Sequence, residues 1–314
     1  MVAWAYNEEL LIGDFLARAV ALLSSTVEDF EVVLVDDGST DGTARIAQEA
    51  ASSEPRIRVV THPRNLGVGQ AARTAFAAAK KETLFWQTVD WSYDISELRI
   101  LLELQRHYDV IWGVRPCPER LLSHVPVVRS IYRVRTRSDN LFKAVVSLSN
   151  YYLLRILFGM PFQDFQNVGI LKTEVLQSLG LHGKSSFLSP EILMRYWKRD
   201  ARFIEVPIPF IRRSKGDGKG TRLSAIIASV RDILVNWLRH GWRFRWENLG
   251  NKERRIWRVS EPFFLDEEVA RLVVPLFKYY VSHEVNNEGG SAEKAPPSGE
   301  LSTLDALPTN SDKS

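Results

Sequence analysis

The stretch Glu31-Val32-Val33-Leu34-Val35-Asp36-Asp37-Gly38-Ser39-Thr40-Asp41-Gly42-Thr43 constrains the fold more than any other part of this chain. A short β-branched apolar strand runs into a Gly/Ser/Asp turn, and a helical segment opens near Thr43. Strand, turn and helix in that order form the repeating unit of an α/β sheet. Two carboxylates therefore sit at the C-terminal end of a strand, the edge where open α/β sheets bind ligands. An Asx turn that caps the helix accounts for residues 39–43 but not for Asp36 beside Asp37. Like charges repel, and the turn needs only one acid. The pair points to a ligand.

Three further strand ends repeat the pattern. Tyr6-Asn7-Glu8-Glu9 ends a first strand over residues 2–5 and starts a helix. Asn65-Leu66-Gly67-Val68-Gly69-Gln70-Ala71-Ala72-Arg73 follows a strand over 57–60, and a fourth strand over 84–89 ends in Asp90-Trp91-Ser92-Tyr93-Asp94. Four polar strand ends, each leading into a helix, make a nucleotide-sized site. Residues 67–72 also fit the Gly-x-Gly-x-x-Ala variant of a dinucleotide fingerprint, with Asp90 about 20 residues on. Six residues separate Val60 from Gly67, however, where a dinucleotide turn is tight. That reading also leaves Asp36 and Asp37 unexplained, so a nicotinamide enzyme is disfavoured.

The 314 residues, 45% hydrophobic and 25% charged, suffice for one large α/β domain plus an appendage. A net charge of +3 implies no polyanionic partner, and no nucleic acid is expected. Basic residues nonetheless cluster at Arg129, Arg133, Arg135 and Arg137, and again at Arg212, Arg213, Lys215 and Lys219. Cys117 is the only cysteine, which excludes an intrachain disulfide and suits a reducing compartment. The first residues carry acids at 8, 9 and 14 and read as no signal peptide. No stretch reaches the roughly 18 uninterrupted apolar residues of a membrane span. Residues 223–238 come nearest, with apolar positions 223, 226, 227, 230, 233, 234, 237 and 238 interrupted by Arg231, Asp232 and Asn236. That period predicts a one-faced helix, either packed on the main domain or lying in a membrane interface. Trp242, Arg243, Phe244, Arg245 and Trp246 follow, a composition suited to a headgroup layer. From residue 285 onward there are no aromatics and no periodicity, and disorder is expected.

Over about residues 2–220 the order and spacing of these motifs resemble family 2 glycosyltransferases of the GT-A fold. Within that family they are most similar to dolichol-phosphate mannose synthases and related polyprenyl-phosphate sugar transferases. The resemblance implies an α/β fold, a GT-A Rossmann-like, mostly parallel sheet flanked by helices, with a C-terminal helical appendage. It divides the chain into a catalytic domain (1–220), an amphipathic, membrane-interfacial helical segment (221–284) and a disordered tail (285–314). The implied activity is inverting transfer of a sugar from a nucleoside diphosphate sugar to a polyprenyl (dolichyl or undecaprenyl) phosphate. The implied place is peripheral, on the cytoplasmic face of a membrane. Two alternatives stay open: a family 2 transferase with a saccharide or other hydroxyl acceptor, and a non-catalytic sugar-nucleotide-binding module.

The resemblance also assigns roles. Ala5, Tyr6, Glu8, Asp36 and Asp37 would contact the nucleoside, Gly67 and Gly69 would let the backbone approach the donor, and Arg73 lies one helical turn later. Asp90 begins the family's Asp-x-Asp, which holds a divalent metal, Mg2+ or Mn2+, against the donor diphosphate. Ser92 stands where the second Asp usually is, and Asp94, two residues on, is expected to share the ion. The strand over 109–115 ends in Arg115, which is similar to the family arginine that faces the acceptor phosphate. Residues 163–169 resemble the segment beneath the acceptor site, with the glycine shifted and the arginine absent. Asp164 is the base candidate for a hydroxyl acceptor; a phosphate acceptor, already anionic, needs none. Residues 213–219 are similar to Arg-x-x-Gly-x-Ser-Lys, with glycine for serine, and follow a closing strand over 203–208. Arg213 and Lys219 would clamp phosphates.

Overall fold

The computed structural model describes residues 1–116, 141–211, 223–241 and 255–281. Cys117, the 129–137 arginines, the 212–219 loop with Arg213 and Lys219, the 242–246 run and the tail from 285 lie outside the described residues.

Strands β1 (Val2–Ala5), β2 (Val32–Asp36) and β3 (Ile57–Thr61) pair in parallel in that order. Their register sets Ala5 opposite Asp36 and Asp36 opposite Thr61, so three chains leave the sheet at one edge. All five residues of β2 are buried. This is why the strand reads as an unbroken apolar run rather than an alternating one. Strands β4 (Thr83–Phe85), β5 (Val110–Val114), β6 (Gly169–Lys172), β7 (Phe203–Pro207) and β8 (Ile256–Arg258) follow, in spatial order β4-β6-β5-β7-β8. Parallel pairing joins β5 to β7 and β7 to β8, while β6 runs antiparallel between β4 and β5.

The expected strand over 84–89 stops at Phe85. Trp86 makes one parallel bridge to Val2, and the Gln87 N–H donates to the Val2 carbonyl at 3.1 Å. There the buried Gln87 side chain takes over: its Nε2 donates to the Tyr93 carbonyl (2.7 Å) and its Oε1 accepts the Thr88 N–H (2.9 Å). The side chain closes a loop where a ladder would otherwise continue. An aromatic row reinforces this join, from Trp4 through Phe76 (6.2 Å between centroids) and Trp86 (5.8 Å) to Trp112 (5.7 Å). Trp86 thus packs between residues of both strand groups.

Helices α1 (Ile12–Thr26), α2 (Thr43–Ser53) and α3 (Val68–Ala78) each follow one of the first three strands. The buried face of α1, Ile12, Phe15, Leu16, Ala19 and Leu23, has the spacing of a single helical stripe. Helices α4 (Leu98–Glu103), α5 (Leu141–Phe158), α6 (Thr173–Gln177) and α7 (Leu188–Trp197) come next in the chain. Helix α8 (Leu223–Asn236) realises the predicted period and ends two residues early, in a wider turn over Trp237–Gly241. Ser229, Ile233 and Asn236 are buried, and the Asp232 carboxylate accepts the Lys184 and Ser185 N–H groups (both 3.0 Å) and the Ser185 hydroxyl (2.8 Å). The interruption read from the sequence is a docking contact. Ile227, Val230, Leu234 and Leu238 remain exposed. Two short helices, α9 (Glu267–Leu272) and α10 (Lys278–Val281), end the described chain.

The aromatic join should be a stability determinant. Trp86→Ala is expected to lose about 3–5 kcal/mol, as for a fully packed aromatic, whereas Leu238→Ala should stay within about 0.5 kcal/mol. Urea unfolding midpoints check both, and a Trp86→Ala midpoint equal to wild type would contradict the join.

Candidate active site

The loops after β1 and β2 are stitched to each other. Asn7 adopts a left-handed backbone (φ 53°), which asparagine tolerates better than most residues. Its N–H donates to Ser39 Oγ (2.9 Å) and its side-chain oxygen accepts the Thr40 N–H (2.8 Å). The Glu8 N–H donates to Thr43 Oγ1 and the Glu9 carboxylate accepts the Gly42 N–H, both at 2.8 Å. The Ala5 carbonyl accepts the Asp37 N–H (2.8 Å), and the Glu8 carbonyl receives the Leu11 and Ile12 amides that open α1. Tyr6 and Glu8 stand half-buried in this double loop.

The adjacent acids face different ways. Asp37 Oδ1 accepts the Leu66 N–H (2.9 Å) and lies 2.7 Å from His62 Nδ1, while its Oδ2 accepts the Gly67 N–H (2.9 Å). His62 Nε2 is 3.0 Å from Thr74 Oγ1. Asp37, expected on the donor, instead holds the third loop in place. Asp36 has one oxygen on the Ser39 N–H (3.2 Å), and its other oxygen is buried with no hydrogen-bond partner. An unmet buried acceptor costs about 1–3 kcal/mol, the kind of exception that calls for a ligand.

Gly67, Gly69 and Arg73, the other residues expected on the donor, also have close neighbours within the chain. Gly67 is needed for its backbone (φ 91°), which suits the turn that Asp37 holds. At Gly69 a Cβ would come within 2.4 Å of the Lys184 backbone, and the Gly69 N–H donates to the Lys184 carbonyl at 3.3 Å. The close neighbour is the chain itself rather than a donor. Arg73 likewise donates to the Leu181 carbonyl (3.1 Å) and to Gln70. Residues 181–185 therefore cover the start of α3. Asp232 and the fully buried Glu191 hold them, the latter accepting the His182 and Gly183 amides.

The Asp90 turn is strained and braced. Trp91 has φ 54°, unusual for a bulky residue. It is buried against Phe15 (5.6 Å between centroids), with the Arg18 guanidinium 4.3 Å from its ring centre. Ser92 Oγ donates to Asp90 Oδ1 at 2.6 Å, and the Ser92 N–H donates to Thr88 Oγ1 at 3.0 Å. Asp94, expected to share the metal, is directed elsewhere: Oδ1 accepts the Ser96 N–H (3.1 Å) and Oδ2 faces the Tyr279 hydroxyl (3.5 Å). Among the described residues, no group of three or more His, Cys, Asp or Glu is arranged to hold a metal. Asp90 with Ser92 is the oxygen-donor pair that remains of the three. The Ile211 N–H donates to the Ser92 carbonyl (2.8 Å) and the Asp94 N–H to the Pro209 carbonyl (3.0 Å). The chain thus enters the 212–219 stretch from beside the Asp90 turn.

Arg115 and Asp164, assigned separate roles from the sequence, form one buried pair. Nε is 2.7 Å and Nη2 is 3.0 Å from the two carboxylate oxygens, and Asp164 also accepts the Gln166 N–H at 3.0 Å. Burial alone would lower the Arg115 pKa, but the charge and hydrogen bonds of Asp164 outweigh it and hold the value above that of ordinary arginine. Both Asp164 oxygens are thus engaged, by an arginine and an amide.

The sequence reading missed Asn7, His62 and Trp91. The Asn7 position carried a signal, since asparagine at a strand end suits a left-handed turn. His62 and Trp91 act through contacts remote in sequence and carried none.

Residues 2–150 match the model of Glycosyl transferase family 2, and this part of the chain is a domain of that family. Glycosyltransferase AglD of Haloferax volcanii is 29% identical over 240 residues, 74% of this chain and 36% of that protein. Undecaprenyl-phosphate mannosyltransferase of Micrococcus luteus is 26% identical over 251 residues, 78% of this chain and 94% of that protein. Undecaprenyl-phosphate 4-deoxy-4-formamido-L-arabinose transferase of Edwardsiella ictaluri is 27% identical over 218 residues, 68% of this chain and 60% of that protein. The chain thus spans less than two thirds of two of these relatives. A structure of Mycobacterium tuberculosis glucosyl-3-phosphoglycerate synthase with UDP superimposes at a TM-score of 0.50 with 17% identity, covering 75% of this chain and 78% of that one. Another, with Mn2+, UDP and glucosyl-3-phosphoglycerate, gives 0.50 at 18% identity, covering 77% and 78%. The fold is that of GT-A glycosyltransferases.

The Arg115–Asp164 pair predicts an asymmetric response to substitution. Asp164→Asn should destabilise the protein by about 3–5 kcal/mol by stranding a buried charge, whereas replacing both partners with Met and Leu should recover much of that. Chemical unfolding of wild type and the two variants measures it. Equal stability of Asp164→Asn and wild type would refute the pairing.

Proposed function

We propose that this chain transfers a sugar, with inversion, from a nucleoside diphosphate sugar to a polyprenyl phosphate. The observation that carries the donor half is the unmet, buried Asp36 oxygen beside the stitched loops after β1 and β2. A carboxylate there suits an N–H of a base, and Tyr6 and Glu8 flank the same loop. Asp37, Gly67, Gly69 and Arg73 shape this site from behind.

The acceptor half rests on the engaged state of Asp164. A hydroxyl nucleophile needs a base, and the candidate base is bound to Arg115. A phosphate oxygen is already anionic near neutral pH and attacks the anomeric carbon directly. The new carbon–oxygen bond forms as the bond to the diphosphate breaks, and the nucleoside diphosphate departs with the electron pair. Two of the relatives described above are undecaprenyl-phosphate sugar transferases by name, which supports the same acceptor class. Arg213 and Lys219 are proposed to meet the phosphates of this step.

A divalent ion fits the residues present. Asp90 offers one carboxylate and Ser92 a hydroxyl 2.6 Å from it. Mg2+ and Mn2+ characteristically accept one or two carboxylates and complete their shell with substrate phosphates and water. Such an ion supplies charge neutralisation at the leaving diphosphate, and the chain's part is to fix Asp90 through the Trp91 brace and the Thr88–Ser92 bond.

The lipid acceptor places the protein at a membrane surface, proposed as the cytoplasmic face. No described helix is long and apolar enough to cross a membrane. The outward stripe of α8, Ile227, Val230, Leu234 and Leu238, supports peripheral contact, with Arg231 and Arg239 also exposed on that segment. Asp232, the one acid between residues 219 and 246, is turned inward onto Lys184 and Ser185.

Turnover of a panel of nucleoside diphosphate sugars with extracted polyprenyl phosphate tests the reading. Asp90→Ala should lower it at least about a hundredfold, while Ser92→Asp should stay active with a sharper Mn2+ dependence. Transfer to a free saccharide without lipid phosphate, or full activity of Asp90→Ala, would overturn it. A second measurement addresses the surface: Leu234→Glu with Leu238→Glu should weaken binding to anionic vesicles at least about tenfold and leave turnover of a short, water-soluble polyprenyl phosphate unchanged. Unaltered vesicle binding would remove α8 from the membrane contact.

A further inference from the structure

A segment far outside the family match reaches back onto the residues that follow the Asp90 turn. Residues 262–281 are anchored by buried Val273, Leu276 and Tyr280, and they present Lys278 and Tyr279 to residues 94–97. The Tyr279 hydroxyl lies 2.9 Å from Ser96 Oγ and 3.5 Å from Asp94 Oδ2, and Lys278 Nζ donates to the Glu97 carboxylate. The Tyr279 ring is itself buried, with the Lys278 ammonium 5.1 Å from its centre. Three polar contacts thus bind a C-terminal strap to the four residues that follow Asp90-Trp91-Ser92-Tyr93.

Of those four residues Ile95 is buried in the core, and none lies in a strand. The Asp94 N–H donates to Pro209, and Tyr93 makes one isolated antiparallel bridge to Phe210. Between Asp90 and α4 the chain is held by backbone bonds at Ser92 and Asp94, by buried Ile95 and by side-chain contacts, and Asp94 is the acid nearest in sequence to the proposed metal pair. With its Oδ2 toward Tyr279 and its Oδ1 on the Ser96 amide, Asp94 is kept in an Asx turn that starts the approach to α4.

We propose that Tyr279 is a positioning residue for the metal–donor turn: through Ser96 and Asp94 it fixes residues 94–97, and so sets Asp90 and Ser92 for a metal-bound diphosphate. It touches neither donor nor metal. The proposal rests on the reading of Asp90 as the metal-binding acid, and it adds a role for a segment that the family match does not reach.

The test is calorimetric, on the full chain, with UDP and GDP as probes, each with and without Mn2+. Tyr279→Phe keeps the buried ring and removes the hydroxyl. It should weaken Mn2+-dependent nucleotide binding about fivefold, the effect of one lost hydrogen bond, and leave metal-free binding and the melting temperature close to wild type. Ser96→Ala should reproduce the loss, and the double variant should be no weaker than either single one, because both break the same contact. Wild-type affinity in Tyr279→Phe, equal weakening with and without Mn2+, or full additivity of the two substitutions would each overturn the proposal. If wild type itself binds neither nucleotide more tightly with Mn2+, the metal reading of Asp90 fails first and this inference with it.

Discussion

The geometry of the site depends on a carboxylate that faces away from it. Asp37 gathers the Leu66 and Gly67 amides and the His62 ring onto one side chain at the end of a fully buried strand. Each of these partners is fixed by other structure: His62 by Thr74, and the Leu66–Gly67 amides by a left-handed glycine. The third loop is thus held without help from a ligand, and Asp36 is left as the neighbour whose second oxygen lacks a partner.

Strain and dissatisfaction in this molecule gather where function is proposed. Trp91 and Asn7 hold left-handed backbones at two of the strand ends, and the unmet Asp36 oxygen lies at a third. Each is overruled by surrounding contacts: Phe15 and Arg18 on Trp91, and Ser39 and Thr40 on Asn7. Away from the site the same elements obey ordinary rules, with α1 burying one stripe and β2 buried throughout.

Much of this was legible in the sequence. The strand-turn-helix punctuation located β1, β2, β3, β5 and β7 to within a residue or two, because apolar runs bounded by Gly, Asn and Asp are local signals. The placement of Asp36 at the end of β2 followed from that alone, whereas Asp90 and Ser92 lie in a loop beyond the end of β4 at Phe85. What the sequence hid is which way each polar side chain turns. Asp36 and Asp37 look equivalent in one dimension and differ because only Asp37 meets His62. Gly69 and Arg73 suggest a phosphate loop until Lys184 and Leu181 arrive from more than a hundred residues away. Arg115 and Asp164 looked like two functional residues because their pairing spans 49 positions. Long-range partners set the surroundings of Gly69, Arg73, Arg115 and Asp164.

The antiparallel strand β6 lies between β4 and β5, yet it comes from beyond the family-matched residues. The sequence family and the folding unit therefore have different borders. A piece cut at residue 150 would keep β4 and β5 but remove the strand that joins them, leaving two apolar edges with unpaired amides and carbonyls facing an empty slot. Such edges recruit strands from other chains. Truncation at the border of the family-matched segment thus breaks this sheet: the part that the family model covers is completed by a strand from the part that it does not.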